Sequence, residues 1–420
     1  MSIFPQSWKL EEANKLCSHI VDCINKTAPI VDYETPYKMI RTTNVKKGRI
    51  SLEEARCVDE TTFLKWNRRL TPTVNDIVLT REAPLGDVGL LRGNQKVFLG
   101  QRTMLYRAVP EKLDQRFLYY TLLGPTLQAQ LKTLGSGSTV EHVRVPDAEK
   151  LIIPYPALKT QKKISAILSA YDDLIENNKR RIALLEKMAE EIYREWFVRF
   201  RFPGWENAKF EKGVPVGWQM LRFDSICRFE KGRNPAEVFD SNENERLFYV
   251  NVDTLKGNLN SYAEAQKNSV TCNVGDILML MDGSRSGLTL RANVAGIVGS
   301  TLSVIRVQEH LKNFVFEYLK AMSQEIIFNN TGSAIPHANK DYIKRMIMYV
   351  PCSDNVIDSF NQKYTALYDC IENLTGQNDN LISTKEALLP RLISGKLSVE
   401  NLDIQFPPSM QANNTEPEVA

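Results

Sequence analysis

From Ile164 the apolar positions of the chain fall at alternating spacings of four and three: Ile164, Leu168, Tyr171, Ile175, then Asn178, then Ile182, Leu185, Ala189, Ile192 and Trp196. This is the stripe of a long coiled-coil helix with one asparagine in its seam. The same rhythm returns at Phe360, Tyr364, Leu367, Ile371, Leu374, Asn378, Leu381, Lys385, Leu388 and Leu392. Upstream of each stripe the pattern is different. Short β-rich runs, "DIVLT", "KVFLG", "DILML" and "LSVIRV", alternate with turn residues. "RFLYYTLLGPTLQAQLKTL" and "NFVFEYLKAMSQEIIFNN" read as helices.

The two halves repeat one another in order. "WKLEEANKLC" matches "WQMLRFDSIC" in its Trp and Cys spacing, and "NVKKG" resembles "DTLKG". "NDIVLT" matches "GDILML", "GSTVEH" matches "GSAIPH", and "LIIPYP" matches "IMYVP". A repeat of this length is a duplicated domain plus helix. The expected fold is mixed α/β, with two similar globular domains separated by two long antiparallel coiled-coil helices and a pseudo-two-fold internal repeat. The expected segments are a first domain over residues 1–156, a central helix over 157–202, a second domain over 203–352, a C-terminal helix over 353–400 and a tail over 401–420.

Antiparallel pairing sets Asn178, fifth of ten in its stripe, against Asn378, sixth of ten. A buried amide pair penalises a slipped register, because a slip sets each amide against leucine or isoleucine. The 32 steps from Ile164 to Trp196 make a ruler of roughly 48 Å, about 14 base pairs of duplex. A two-fold ruler with a similar head at each end suits DNA.

Composition adds limits. At 420 residues and 43% hydrophobic, the chain can bury more than one core. Seven cysteines without a CxxC pair, and four histidines, argue against a zinc site and for reduced thiols in a cytoplasm. No apolar run approaches a membrane span. Residues 1–156 carry 22 basic against 17 acidic side chains, whereas 353–420 carry 4 against 10. That balance is compatible with nucleic acid without demanding it. The phosphate loop GxxxxGK[ST], the GxGxxG fingerprint and the tetrapeptide of adenine methyltransferases are missing, so neither a catalytic residue nor a metal ligand is expected.

Four stretches, "DYETPYKMIRTTNVKKGRI", "NDIVLTREAPLGDVGLL", "GSGSTVEHVRVPDAEKLIIPYPALKTQKKI" and "ALLPRLISGKLSVENL", resemble the specificity subunits of type I restriction–modification systems. The resemblance covers nearly the whole chain, in order. It implies a non-catalytic DNA-reading subunit with two target-recognition domains. It further implies double-stranded DNA, two modification (methyltransferase) subunits and restriction subunits as partners, no cofactor in this chain, and S-adenosylmethionine in the methyltransferase. Two competing readings are a coiled-coil adaptor that never touches DNA and the recognition half of a fused restriction–methylation enzyme.

Base edges are read by Arg, Lys and small polar side chains, and phosphates by cations and hydroxyls. In the first domain those criteria select Arg41, Thr43, Asn44, Lys46, Lys47, Arg49, Arg68, Arg69, Arg81 and Arg92, with Ser136, Ser138, Thr139 and His142 in and after a glycine-rich loop. In the second they select Lys231, Arg233, Asn234, Asn251, Lys256, Ser284, Arg285, Ser333, His337 and Lys340. Trp196, Phe197 and Phe200 exceed what a two-helix seam can cover, so they are expected to meet the second domain and the modification subunit.

Overall fold

A computed structural model of the chain describes residues 4–135, 141–243, 245–255, 257, 259–332 and 335–411. It divides into two compact units, Met1–Asn178 with Gly376–Ala420, and Lys179–Thr375. The boundary falls inside both long helices, Leu158–Tyr193 and Asp354–Ile393. Each unit therefore holds one globular domain and a portion of each helix.

Each domain is closed by a strand near its start paired with its last strand. Lys9–Glu12 runs antiparallel to Ile152–Tyr155, and Trp218–Arg222 antiparallel to Ile347–Pro351. Prolines at the ends of these closing strands, Pro156 and Pro351, stand just ahead of the long helices. The main sheet of the first unit orders six strands as Cys17–Asp22, Thr103–Ala108, Ile77–Arg81, Leu85–Leu90, Gly48–Ile50 and Val45–Lys46. That of the second orders four as Arg228–Lys231, Leu302–Arg306, Ile277–Leu280 and Thr289–Arg291. A smaller sheet in each is built on a parallel pair, Tyr37–Ile40 with Lys96–Leu99 and Leu247–Val250 with Gly296–Val298.

The duplication extends to individual side chains. Asn75 and Gly275 both take left-handed backbone, at φ 70° and 83°. The aspartate that follows each closes the turn: Asp76 accepts from Thr73 N at 2.7 Å, and Asp276 from Asn273 N at 2.9 Å. Each carboxylate is buried and meets an arginine from a neighbouring strand, Arg107 at 2.6 Å and Arg306 at 3.1 Å. This is why "ND" and "GD" precede the same apolar strand.

The helices pack against their own unit's domain. In the first, Ile164, Leu168, Leu392 and Ile393 join Phe117, Tyr119 and Tyr120 in the core. In the second, Tyr193, Trp196 and Phe197 join Phe314, Phe360 and Tyr364. The helix segments of the first unit run antiparallel, Asp172 meeting Lys385 and Asn178 meeting Asn378, and in the second Tyr193 and Trp196 meet Phe360.

Candidate nucleic-acid interface

In the second unit, strand Arg228–Lys231 leads through Gly232 into Arg233 and Asn234. A Cβ on Gly232 would lie 2.2 Å from Gly299 O and 2.6 Å from Val298 O, so only glycine lets this segment lie on the backbone at 298–300. Arg233 N donates to Val298 O, and Asn234 Oδ1 accepts from Ser300 N at 3.0 Å and from the Tyr249 hydroxyl at 2.9 Å. The result is an open groove of about 800 Å³ walled by Lys231, Arg233, Asn234, Lys267, Asn268 and Ser300. Lys231, Arg233 and Lys267 are exposed.

At one end of this groove Lys231 Nζ stands 3.9 Å from Asp282, which also holds His337 Nδ1 at 2.7 Å. The backbones of Asp282 and His337 form a bridge, which draws the turn bearing Ser284 and Arg285 beside the loop bearing His337. Ser284 and Arg285 are exposed on that turn. Partial burial holds the Lys340 ammonium below the ordinary lysine value, and repulsion from Lys231 and Lys344 adds to it. Crowded cations beside exposed polar side chains give this end of the groove the chemistry of an anion site.

The first unit repeats the geometry with different charges. Glu82 and His142 form the bridge that Asp282 and His337 form in the second. Strand register places Asp22 where the second unit has Lys231. Asp22 takes Arg69 at 2.7 Å and Arg81 at 3.5 Å. Thr43, Lys46, Lys47 and Arg68 are exposed, and Lys47 at φ 47° turns the hairpin between Val45–Lys46 and Gly48–Ile50. Arg41 is partly buried, and burial, with Arg56 close by, lowers its pKa.

Several residues selected from the sequence are engaged elsewhere. Asn44 is buried, and its Oδ1 caps its own turn by accepting from Arg41 N at 2.9 Å, so it presents no edge to a base. Asn251 does the same for Val252–Leu255, accepting from Asp253 N at 2.9 Å and Thr254 N at 3.0 Å. Arg49 and Arg92 turn to the central helix, ion-paired with Glu176 at 2.6 Å and Asp172 at 3.1 Å. Trp196 and Phe197 meet the second domain, as expected, but that contact buries them, so they are not surface anchors for a second protein. Phe197 packs on Phe314, Phe360 and Trp218 at ring distances of 4.8, 5.0 and 5.8 Å, and Trp196 lies 6.1 Å from Phe360. Phe200 stands edge-on to Trp218 at 5.2 Å. Their aromatic area is spent on the core of their own unit. Ser136, Ser138, Thr139, Lys256 and Ser333 lie outside the described residues.

Lys267, Asn268 and Ser300 were missed from the sequence. They come from loops distant in the chain and carry no local cluster of cations.

Among the described residues no group of three or more His, Cys, Asp or Glu side chains could hold a metal ion. Among the same residues no helix is long and apolar enough to cross a membrane.

Residues 34–187 and 215–379 match the type I restriction modification DNA specificity domain. The chain is 28% identical over 346 residues to the type I restriction enzyme MjaIX specificity subunit of Methanocaldococcus jannaschii, covering 78% of each. It is 21% identical over 434 residues to the MjaVIII specificity subunit of the same organism, covering 95% of each. The crystal structure of the type I restriction–modification system S subunit from M. genitalium superposes with a TM-score of 0.53 at 16% identity, covering 93% of this chain and 99% of that one, a likeness of fold. With two separate matches that together span most of its length, the chain belongs to the family of type I restriction modification DNA specificity domains.

Proposed function

We infer that this chain is the DNA sequence-specificity subunit of a type I restriction–modification complex. Each domain reads one half of a bipartite target in double-stranded DNA. The chain then positions two modification (methyltransferase) subunits, and restriction subunits where present, on that target. Methyl transfer from S-adenosylmethionine belongs to the modification subunits; this chain supplies recognition and geometry.

The observation that carries this reading is the duplicated specificity domain, in which one scaffold presents two different charge patterns. Where the first domain places Asp22 with Arg69 and Arg81, the second places Lys231 beside Arg233 and Lys267. Two identical faces would favour a palindrome, whereas two unlike faces favour two unlike half-sites. Lys231, Arg233, Lys267 and Lys340 act on phosphates, setting position, Ser284, Arg285 and His337 read base edges, and Asn234 holds the loop that carries Arg233. Arg68, Arg81, His142, Lys46 and Lys47 are the counterparts in the first domain.

The test is reconstitution. The purified chain is combined with a candidate modification (methyltransferase) subunit from the same genome, labelled S-adenosylmethionine and a pool of random duplexes. Methylation confined to one bipartite sequence, and absent when either protein is left out, supports the reading. Methylation by the methyltransferase alone with unchanged specificity, or by this chain alone, contradicts it.

A further inference from the structure

The two main sheets differ at one edge. In the first unit the strand Leu85–Leu90 is covered by Gly48–Ile50, which runs parallel to it with Gly48 beside Gly89 and Arg49 beside Leu90. The covering segment is pinned from below: Tyr119 donates its hydroxyl proton to Gly48 O at 2.7 Å, and Arg49 meets Glu176 of the central helix at 2.6 Å. In the second unit the equivalent strand, Thr289–Arg291, ends the sheet. Among the described residues no strand covers it.

The register of the uncovered edge follows from its neighbours. Ala292 N donates to Asp276 O and Ala292 O accepts from Gly275 N, as Leu91 does with Asp76 and Asn75 in the first unit. Arg291 therefore stands where Leu90 stands. By alternation along the strand, the N–H and C=O groups of Thr289 and Arg291 face outward.

Beside this edge lies a cavity of about 430 Å³ between strand, domain helix and helix pair, walled by Thr289, Arg291, Glu317, Lys320, Tyr364 and Tyr368. Three buried polar atoms of its wall have no hydrogen-bond partner: Thr289 Oγ1, Arg291 Nε and Glu317 Oε2. Glu317 is 1% exposed; its Oε1 accepts from Tyr364 at 3.1 Å, but its Oε2 has no hydrogen-bond partner. Lys320 Nζ stands 3.7 Å from that oxygen, beyond hydrogen-bond distance. The two terminal nitrogens of Arg291 are committed, donating to Gly275 O and Asn313 Oδ1, and its guanidinium lies 4.3 Å from the Phe316 ring, which leaves Lys320 as the cation nearest Glu317 Oε2. Glu186 adds a second carboxylate to the wall. An uncovered strand edge beside a buried acceptor calls for an extended backbone carrying a cation.

We propose that the strand Thr289–Arg291 and the cavity beside it receive an extended, basic segment of the modification (methyltransferase) subunit, which adds a parallel strand and places a Lys or Arg side chain on Glu317. The segment does for the second domain what Gly48–Ile50, with Arg49, does for the first within the chain. The chain's own residues 412–420 carry only acidic charges, Glu416 and Glu418, and are the wrong sign.

The inference rests on the proposed function, and its test separates the two. Hydrogen exchange is measured on the full chain alone and in its purified complex with the methyltransferase subunits. The amides of Thr289 and Arg291 should slow at least tenfold on assembly, while those of Leu290 and Ala292, which face into the sheet, stay unchanged. Glu317→Gln, which keeps an acceptor for Tyr364, should remove most of that slowing. A photo-crosslinker at Leu288 should capture a Lys- or Arg-bearing segment of the methyltransferase subunit. A complex that methylates its target while Thr289 and Arg291 exchange as in the free chain overturns the inference and leaves the function standing. Capture of DNA or of residues 412–420 at Leu288, or full slowing in Glu317→Gln, overturns it too. A chain that assembles with no methyltransferase overturns both.

Discussion

Asn178 Nδ2 donates to Asn378 Oδ1 at 3.2 Å, with both side chains buried on facing helices 200 residues apart in sequence. The seam also carries the Asp172–Lys385 ion pair, and the value of the amide contact lies in being satisfied only when both partners are present. Asn178→Leu alone strands the Asn378 amide and should destabilise the chain by about 1–3 kcal/mol. The double change Asn178→Leu, Asn378→Leu should recover most of that loss, and can exceed the parent, while relaxing register. Urea unfolding of the two single variants and the double measures the coupling. Additive losses would deny that the amides act as a pair.

Two buried carboxylates should give opposite pH signatures. Burial alone would raise the Asp172 carboxyl, but Lys385 at 2.8 Å and Arg92 at 3.1 Å outweigh it and hold it below the ordinary aspartate value. Its stabilising contribution is therefore complete above a pH of about 3.9 and lost as pH falls through the lower folded value. Glu317 is the reverse, raised chiefly by burial. Its contribution is complete below about 4.3 and declines as pH rises through the raised value. Asp172→Asn should cost about 3 kcal/mol at neutral pH, because it leaves two cations against an uncharged side chain, and should flatten the acid limb of the stability curve. Glu317→Gln should flatten the decline toward neutral pH instead. Urea midpoints between pH 3 and 8 check both.

Much of the fold could be read from the chain because its signals are local and repeated. The two heptad stripes, the paired "ND" and "GD" turns and the Trp–Cys spacings each depend on a few residues close in sequence. The site was less accessible. Asn44 and Asn251 look like base readers in sequence, yet each caps its own turn, a role set by backbone geometry. Arg49 and Arg92 look like free cations until Glu176 and Asp172 arrive from a helix about 80 residues or more away. Trp196 and Phe197 look surplus to a two-helix seam because their cover, Phe314 and Phe360, is contributed by distant segments.

The groove of the second domain should bind through charge, at a backbone spacing that only glycine allows. Lys231→Ala, Arg233→Ala and Lys267→Ala should each weaken DNA binding about equally across sequences. Each should also reduce the slope of log affinity against log salt by about 1. Gly232→Ala should cost about 1–3 kcal/mol through overlap with Gly299 O and Val298 O, and should lower affinity without removing a charge. Fluorescence anisotropy across a salt series distinguishes the two effects. A mutant with an unchanged salt slope would remove that cation from the interface.

The most direct measurement of bipartite reading is the methylome of host cells carrying the intact gene, no gene, or a gene in which residues 206–352 come from a relative. Deletion should abolish methylation at one bipartite motif and leave other modified sites untouched. The exchanged gene should alter one half of that motif and preserve the other half. A methylome unchanged by deletion, or a chimera that changes both halves, would contradict the assignment of one half-site to each domain.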